Sequence, residues 1–448
     1  MNVKKNKSIY IETYGCQMNF SDSEIVASVL TDNGYEITKE IKSAGIIFVN
    51  TCSIREHAEE RVRKRLQFFK SLRKKSPDLV IGLLGCMADR TKVALMEEER
   101  LLDLVAGPDS YRHLPQLLEQ VGSGQPAINT ILSVDETYAD ITPVRFDSNG
   151  ISSFISIMRG CENYCSYCVV PTTRGQERSR NAQTIIRETR DLFEKGYREV
   201  TLLGQNVNSY KWEAPEGIIN FAGLLEKVAL VSPLMRIRFA TSHPKDISNE
   251  LLHTIARHPN LCKAVHLPVQ SGSNHMLDLM NRKYSREEYL ERIQNIRHIL
   301  PDSTISTDII AGFCDETEED HRQTLSLMET VGYDSAFMFK YSERPQTLAA
   351  ESMNDNIPED TKERRLREII DLQQKLSLKS NRNEIGKTFE ILIEGVSKRS
   401  VNQYFGRTSH NKVAVFNKTE ASPGEYVFVK ITGATSATLL GENIDFAE

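Results

Sequence analysis

The amino-acid sequence predicts a mixed α/β protein in three consecutive parts, and three observations carry that prediction. Short apolar strands alternate with helical patterns over residues 1–125, the signature of an open parallel α/β domain. A second alternating series, over residues 145–380, holds six strand–helix units and argues for a partial or full βα barrel. Over residues 383–448 the pattern changes to short strands parted by Gly, Asn and Pro turns, which suits a small all-β barrel. A chain of 448 residues has room for three domains of about 150 residues each.

Each element follows from local pattern. Residues 8–13 read as a strand, and 21–33 as a helix with a Ser/Asp start and Gly34 closing it. Residues 46–50 form an apolar strand, 54–75 a long charged helix, 79–84 a third strand and 89–101 a further helix. Between 122 and 150 the periodicity weakens while Gly, Pro, Ser and Asp accumulate, so this stretch reads as a linker. The second series places strands at 153–158, 199–203, 235–240, 264–267, 304–310 and 336–340. A charged connector helix follows at 357–382, with Pro358 near its start. The last part offers strands at 388–395, 412–416, 426–432 and 437–441.

Composition bounds the function. Apolar residues make up 40% of the chain and charged residues 26%, the profile of a globular protein with real cores. Lys and Arg number 56 against 61 Asp and Glu, a net charge of −5 that excludes a basic coat over the whole surface. A local basic patch can still bind nucleic acid, because phosphates respond to the nearby field. No stretch approaches the ~18 apolar residues of a membrane span. The opening MNVKKNKSIYIETYG has neither the apolar core of a signal peptide nor the Arg/Ser-rich pattern of a transit peptide. The expectation is a cytoplasmic chain with no membrane partner.

The eight cysteines, at 16, 52, 86, 161, 165, 168, 262 and 314, are too few and too unevenly spaced for a disulfide framework. Cys16, Cys52 and Cys86 each follow one of the first three strands. In an open parallel sheet those positions converge on one edge, outside the carboxyl ends of the strands, where such folds bind ligands. Cys161, Cys165 and Cys168 form CxxxCxxC within MRGCENYCSYCVVP, just after the first strand of the second series. Three thiolates at that spacing can hold three irons of a cubane cluster and leave the fourth open. A zinc site is the alternative, but it wants a fourth ligand that no nearby Cys or His supplies. Cys262 and Cys314 read as structural.

The CxxxCxxC motif, with Tyr167 before its last cysteine and opening a βα series, resembles the radical S-adenosylmethionine (SAM) superfamily. Its neighbours narrow the resemblance: YGCQMN around Cys16, NTCSIRE around Cys52, GCMADR around Cys86, VVPTTRGQERSR after the motif and LPVQSGSN at 267–274. Together they resemble the methylthiotransferase family, and the QMN after Cys16 resembles its tRNA-modifying MiaB branch. The match spans nearly the whole chain, in the family's order of N-terminal domain, radical domain and C-terminal TRAM barrel. One departure stands out: GFCDETEED carries Cys314 and Asp315 where the family usually has Pro and Gly.

The resemblance implies two [4Fe–4S] clusters. Cys161, Cys165 and Cys168 would hold the one whose open iron SAM chelates, and Cys16, Cys52 and Cys86 an auxiliary one open to exogenous sulfur. Three buried free cysteines at strand ends are the plain alternative for the second trio. It further implies two SAM molecules per turnover, one donating a methyl group to sulfur and one cleaved to a radical that takes hydrogen from C2 of a base. The implied partners are tRNA carrying N6-isopentenyladenosine beside the anticodon, an electron donor such as flavodoxin or ferredoxin, and a sulfur donor; a monomer is expected. An aromatic C–H offers no useful acidity, so no general-base pair is needed, and none stands out. Methylthiolation of another modified adenosine or of a ribosomal protein residue is the alternative. A non-catalytic Fe–S or zinc RNA-binding protein is the reading outside this class.

For SAM, the family places contacts at barrel strand ends, which here are Gly204–Asn206, Thr241–His243, Gln270–Gly272 and Asp308. Gln205 or Asn206 would meet the amino or carboxylate groups and Gln270 or Asp308 the ribose, with Ser242 and Ser271 also expected to bind the cofactor. Before Pro244, His243 reads as a loop-packing residue or a substrate contact. RNA contact has three candidate surfaces. Residues 55–75 hold nine Lys and Arg against three Glu. Arg174, Arg178 and Arg180 follow the cysteine motif and could grip phosphate or form internal ion pairs. In SKRSVNQYFGRTSHNK, residues 397–412, Lys398, Arg399, Arg407 and Lys412 interleave with Tyr404 and Phe405, the mix of charge and stacking rings that RNA-binding loops use.

Overall fold

Strands β1 (Ser8–Tyr14), β2 (Glu36–Ile37), β3 (Ile46–Thr51), β4 (Val80–Leu84), β5 (Leu104–Ala106) and β6 (Ala127–Asn129) form one parallel sheet in the order β2–β1–β3–β4–β5–β6. They belong to a computed structural model that describes residues 7–52, 56–88, 101–146, 148–215 and 217–444. All six residues of β3 are buried, as a parallel strand covered on both faces requires. Helix Gln17–Asp32 covers one face through Ile25, Val26 and Leu30. Helix Glu56–Arg73 covers the other through Val62, Leu66 and Phe69, spaced at one helical turn. The helix expected at 89–101 falls almost entirely outside the described residues.

The stretch read as a linker is packed. It supplies the edge strand β6, and Tyr138 is 1% exposed, stacked on Tyr111 with ring centroids 5.7 Å apart. Its polar composition hid these anchors. The chain divides into two compact units, and these do not follow chain order. The first is Met1–Asp147 with Met158–Glu162 and Cys168–Arg180; the second is Ser148–Ile157, Asn163–Tyr167 and Asn181–Glu448.

In the second unit the six expected strands appear as two parallel three-stranded sheets. Ser152–Ser156, Glu199–Leu203 and Arg236–Ala240 form one; Ala264–His266, Thr304–Ala311 and Ser335–Lys340 form the other. A parallel bridge from Ile237 to Leu261 links the series. Helix Glu359–Arg382 packs across its far end through Ile369 and Gln373, whose amide donates to the Tyr333 carbonyl at 2.9 Å.

Residues 388–443 close into a five-stranded barrel around Ile391, Ile393, Phe416, Val429 and Ile431. One of its strands, Gln403–Thr408, lies inside the stretch expected to be a loop. This barrel sits against the amino ends of the parallel strands. Arg236 donates to the Arg407 carbonyl at 2.7 Å, Arg238 to that of Thr408 at 2.9 Å, and Thr304 to that of His410 at 2.7 Å.

Candidate functional site

In the first unit the register of the sheet brings three cysteines together. Tyr14 pairs with Thr51 and Asn50 with Leu84, so Cys16, Cys52 and Cys86 leave adjacent strands at one level. Gly15 and Gly85 make the turns, with φ of +122° and +87°. A Cβ on Gly15 would stand 2.5 Å from that of Cys52, and one on Gly85 2.3 Å from Asn50 Oδ1, so only glycine allows this approach. Cys16 caps the helix that follows it, and its thiol donates to Asn19 Oδ1 at 3.2 Å. Asn19 in turn donates to Asn50 Oδ1 at 3.2 Å, and both amides are fully buried. A hydrogen bond with Cys52 pulls the Cys16 thiol down to about 6; burial opposes this and Arg174 assists it. Burial pushes the Cys86 thiol up, with Arg174 countering.

Behind the cysteines lies a buried charge network. Arg174 Nε donates to Cys86 Sγ at 3.2 Å and Nη2 to Asp22 at 2.8 Å. Arg159 reaches the other Asp22 oxygen at 2.9 Å and lies 3.6 Å from Asp109, which Arg178 holds at 2.8 Å. Burial disfavours the Asp22 charge, but Arg159 and Arg174 outweigh it and hold the carboxyl below its usual range. Arg174, Arg178 and Arg180 are each at most 6% exposed. The expectation that they grip phosphate is therefore corrected: all three are buried, with Arg174 turned to Cys86 and Asp22 and Arg178 to Asp109 inside the unit. Asp22 and Asp109 lie 152 and 69 residues from their Arg174 and Arg178 partners, beyond any local sequence signal.

Of the CxxxCxxC motif, Cys161 and Cys168 belong to the first unit and Cys165 to the second. The Cys161 amide donates to the Gly175 carbonyl at 3.2 Å, beside Gly160, where any Cβ would collide with the Gln176 carbonyl. In the second unit Arg282, 3% exposed, donates to Cys165 Sγ at 3.1 Å, to Tyr284 Oη at 2.9 Å and to the Pro268 carbonyl at 2.7 Å. Sequence reasoning missed Arg282, one cation among 56 with no motif around it.

The expected SAM contacts divide in two. Among the described residues, Gln205 Oε1, Asn206 Oδ1, Ser242 Oγ and His243 Nε2 are buried without a hydrogen-bond partner, at the carboxyl ends of neighbouring strands. Burial, then the nearby Arg282 charge, lowers His243 to about 2, so its ring stays neutral. Orphaned polar atoms in such a cluster fit a polar ligand, since buried groups of this kind normally find partners. Ser271 instead bonds Thr324 at 3.1 Å and is fully buried, which makes it a loop anchor. Gln270 tucks its backbone against Asp308 and Ile310 at φ +72°, and the Asp308 carboxylate lies 3.4 Å from His266.

On the small barrel, Lys398 and Arg399 are exposed at a turn. Lys412 is 9% exposed and pairs with Glu384 at 3.2 Å and Asp334 at 3.3 Å, so it cannot serve as an RNA grip. Arg407 pairs with Glu394 at 3.2 Å. Tyr404 packs on Phe416, with Lys418 over its ring at 5.3 Å. On helix Glu56–Arg73 and just beyond it, Arg61, Lys64, Lys70, Lys74 and Lys75 stay exposed. Arg65 bonds Glu12 and Arg73 bonds Asp103.

Among the described residues no three His, Cys, Asp or Glu side chains close around a single metal ion. The soft donors at Cys16, Cys52 and Cys86, with a guanidinium on one sulfur, suit an anionic iron–sulfur cluster, which spreads its thiolates over a wider body.

Three family models match the chain: the uncharacterized protein family UPF0004 over residues 8–107, the Radical SAM superfamily over 155–328 and the TRAM domain over 382–444. The fold and the cysteine motif thus define a radical SAM protein with a C-terminal TRAM barrel, a class that works with a [4Fe–4S] cluster and SAM. Curated relatives place it further. A tRNA-2-methylthio-N(6)-dimethylallyladenosine synthase of Amoebophilus asiaticus is 57% identical, covering 97% of this chain and 92% of that protein. Those of Bacteroides thetaiotaomicron and Flavobacterium johnsoniae are 56% and 51% identical, each over 98% of this chain and over 96% and 95% of their own lengths. The chain belongs to the tRNA-2-methylthio-N(6)-dimethylallyladenosine synthase family. Among solved structures, the radical SAM methyltransferase TsrM of Kitasatospora setae aligns with a TM-score of 0.56 at 14% identity, over 77% of this chain and 75% of that one. The cobalamin-dependent enzyme OxsB aligns at 0.53 and 12%, over 82% and 56%. These two share the fold.

Proposed function

We infer that this enzyme adds a methylthio group to C2 of N6-isopentenyladenosine beside the anticodon of tRNA. One observation carries the reading: relatives named for that product are at least 51% identical across nearly the full length of both chains. The identity extends over all three matched regions, so it exceeds what a shared radical SAM core would give.

In this reading Cys161, Cys165 and Cys168 hold one [4Fe–4S] cluster and Cys16, Cys52 and Cys86 a second. When bound, the clusters and SAM supply electron transfer, radical generation and sulfur delivery. The chain's own side chains hold and orient. Arg282 fixes the Cys165 sulfur by a charge-assisted bond. Gln205 and Asn206 would present unpaired amide oxygens to the amino or ribose hydroxyl groups of SAM, Ser242 and neutral His243 would donate to its carboxylate or ribose oxygens, and Asp308 is held beside His266. Two SAM molecules serve each turnover. An electron donor such as flavodoxin or ferredoxin and a separate sulfur donor complete the set, and the enzyme works as a cytoplasmic monomer. Among the described residues no helix is long and apolar enough to cross a membrane. Residues 1–125, 145–380 and 383–448 act as the sulfur, radical and RNA-capturing regions.

Nucleoside mass spectrometry of tRNA from cells with and without the gene tests the assignment. Loss of the methylthio nucleoside with retention of N6-isopentenyladenosine is the expected result; an unchanged nucleoside profile sinks it. Anaerobic reconstitution should give about eight irons per chain, and replacing Cys161, Cys165 and Cys168 with Ala about four, by two-cubane stoichiometry. That triple variant should lose SAM cleavage. Cys16→Ala should keep it while losing product.

A further inference from the structure

We propose that Arg174 is a positioning residue for sulfur, its guanidinium bridging the Cys86 thiolate and a small anionic sulfur species brought to the Cys16–Cys52–Cys86 site. The proposal rests on reading those cysteines as a cluster site. Two observations carry it. Arg174 Nε donates to Cys86 Sγ at 3.2 Å and Nη2 to Asp22 at 2.8 Å, yet among the described residues Nη1 has no partner although the side chain is 3% exposed. A guanidinium cannot shed its charge or its protons, so a buried idle donor beside a thiol calls for an acceptor. The second observation is charge balance. Among the described residues the carboxylates paired with Arg159, Arg174 and Arg178 are Asp22 and Asp109, so the third positive charge is left to the sulfurs of Cys86 and Cys16 beside Arg174. Cys86 takes one N–H of Arg174, and a positive charge placed among these sulfurs is of the sign that retains anionic sulfur and would repel a cationic ligand. Asp22 orients the fork of a side chain that is itself buried, so Arg174 cannot swing out to solvent. Hydrosulfide and methanethiolate share the required chemistry: one negative sulfur that accepts a single N–H.

The test uses the full chain with Cys161, Cys165 and Cys168 changed to Ala, reconstituted without oxygen so that only the N-terminal site contributes. Failure to hold about four irons sinks the cluster reading itself, before Arg174 enters. Hydrosulfide and methanethiolate are then titrated separately while the electron paramagnetic resonance spectrum of the reduced cluster is followed. With Arg174→Gln added, iron should remain and half-saturation should rise about ten- to a hundredfold, the scale of one charge-assisted hydrogen bond. Arg174→Lys, which keeps the charge, should recover part of that loss. A response confined to one of the two thiols supports the proposal and identifies which sulfur Arg174 holds. Three results overturn it: no spectral response in the parent, unchanged half-saturation in Arg174→Gln, or iron lost from both Arg174 variants, which would make Arg174 a scaffold for the cysteines.

Discussion

Cys16 combines two jobs that pull its chemistry one way. It caps a helix, whose N-terminal dipole favours an anion, and it shares a hydrogen bond with Cys52 that favours its thiolate. Its folded value, about 6, lies below the ordinary 9.0. A depressed value means the thiolate stabilises the fold fully above pH ~9 and that this contribution fades as pH falls through ~6. In iron-free protein, alkylation of Cys16 followed by mass spectrometry should therefore show a midpoint near pH 6, and Cys52→Ala should move it upward. A midpoint near 9 in the parent chain would mean that the two sulfurs do not meet. Asp315 is the second telling residue. It stands at φ +60°, where the family pattern has glycine, and Asn356 braces it through bonds of 3.0 and 2.6 Å. The departure was visible in the sequence; the brace, 41 residues away, was not. Asp315→Gly should change stability by less than about 1 kcal/mol, since relieving the left-handed backbone offsets the lost bonds. Asp315→Val should cost about 1–3 kcal/mol, read as a lower thermal midpoint.

Among the elements, the strands were legible where apolar runs were long. All six central strands and the three that the first cysteines follow sit within two residues of their expected places, because period and burial leave one solution. Three-residue strands such as Leu104–Ala106 and Ala127–Asn129 carry too few residues to show a period, and sheet pairing alone defines them. Gln403–Thr408 escaped for another reason: its charged and aromatic residues suggested an RNA loop, while its alternate positions face the small barrel's core. The turns after the strands are the least tolerant elements. Gly85 sits at φ +87°, with Asn50 Oδ1 and the Thr51 carbonyl 2.3 and 2.8 Å from any added Cβ. Gly85→Ala should thus displace Asn50 and, with it, the Asn19 bond that orients Cys16. Backbone strain and overlap together should cost about 2–4 kcal/mol. After reconstitution the variant should hold about four irons instead of eight while still cleaving SAM. Eight irons and wild-type stability would show that the turn adjusts freely.

At the scale of the whole molecule, the C-terminal barrel is joined to the central strands rather than tethered beside them. Arg236, Arg238, Thr304 and Tyr426 bond across that junction, and Lys412 reaches Asp334 and Glu384. Four basic residues that look equivalent in the sequence therefore have different fates. Lys398 and Arg399 project from an exposed turn, Arg407 is tied to Glu394, and Lys412 is buried among carboxylates. Sequence spacing could not sort them, because the acidic partner Asp334 lies 78 positions from Lys412 and Glu384 28. The sorting predicts opposite outcomes for two charge reversals. Lys398→Glu with Arg399→Glu should leave folding, iron content and tRNA-independent SAM cleavage intact. It should weaken tRNA binding and flatten its dependence on salt, by about 0.7–0.9 in logarithmic slope for each phosphate that is no longer neutralised. Lys412→Glu should instead place a third carboxylate beside Asp334 and Glu384. Breaking a buried pair in this way costs on the order of 3–5 kcal/mol, so the thermal midpoint should fall before any effect on RNA can be measured. Binding across a salt series, with thermal melts in parallel, separates the two. If the Lys398/Arg399 variant keeps wild-type affinity and slope, RNA capture moves to the basic face of helix Glu56–Arg73, where Arg61, Lys64 and Lys70 remain exposed.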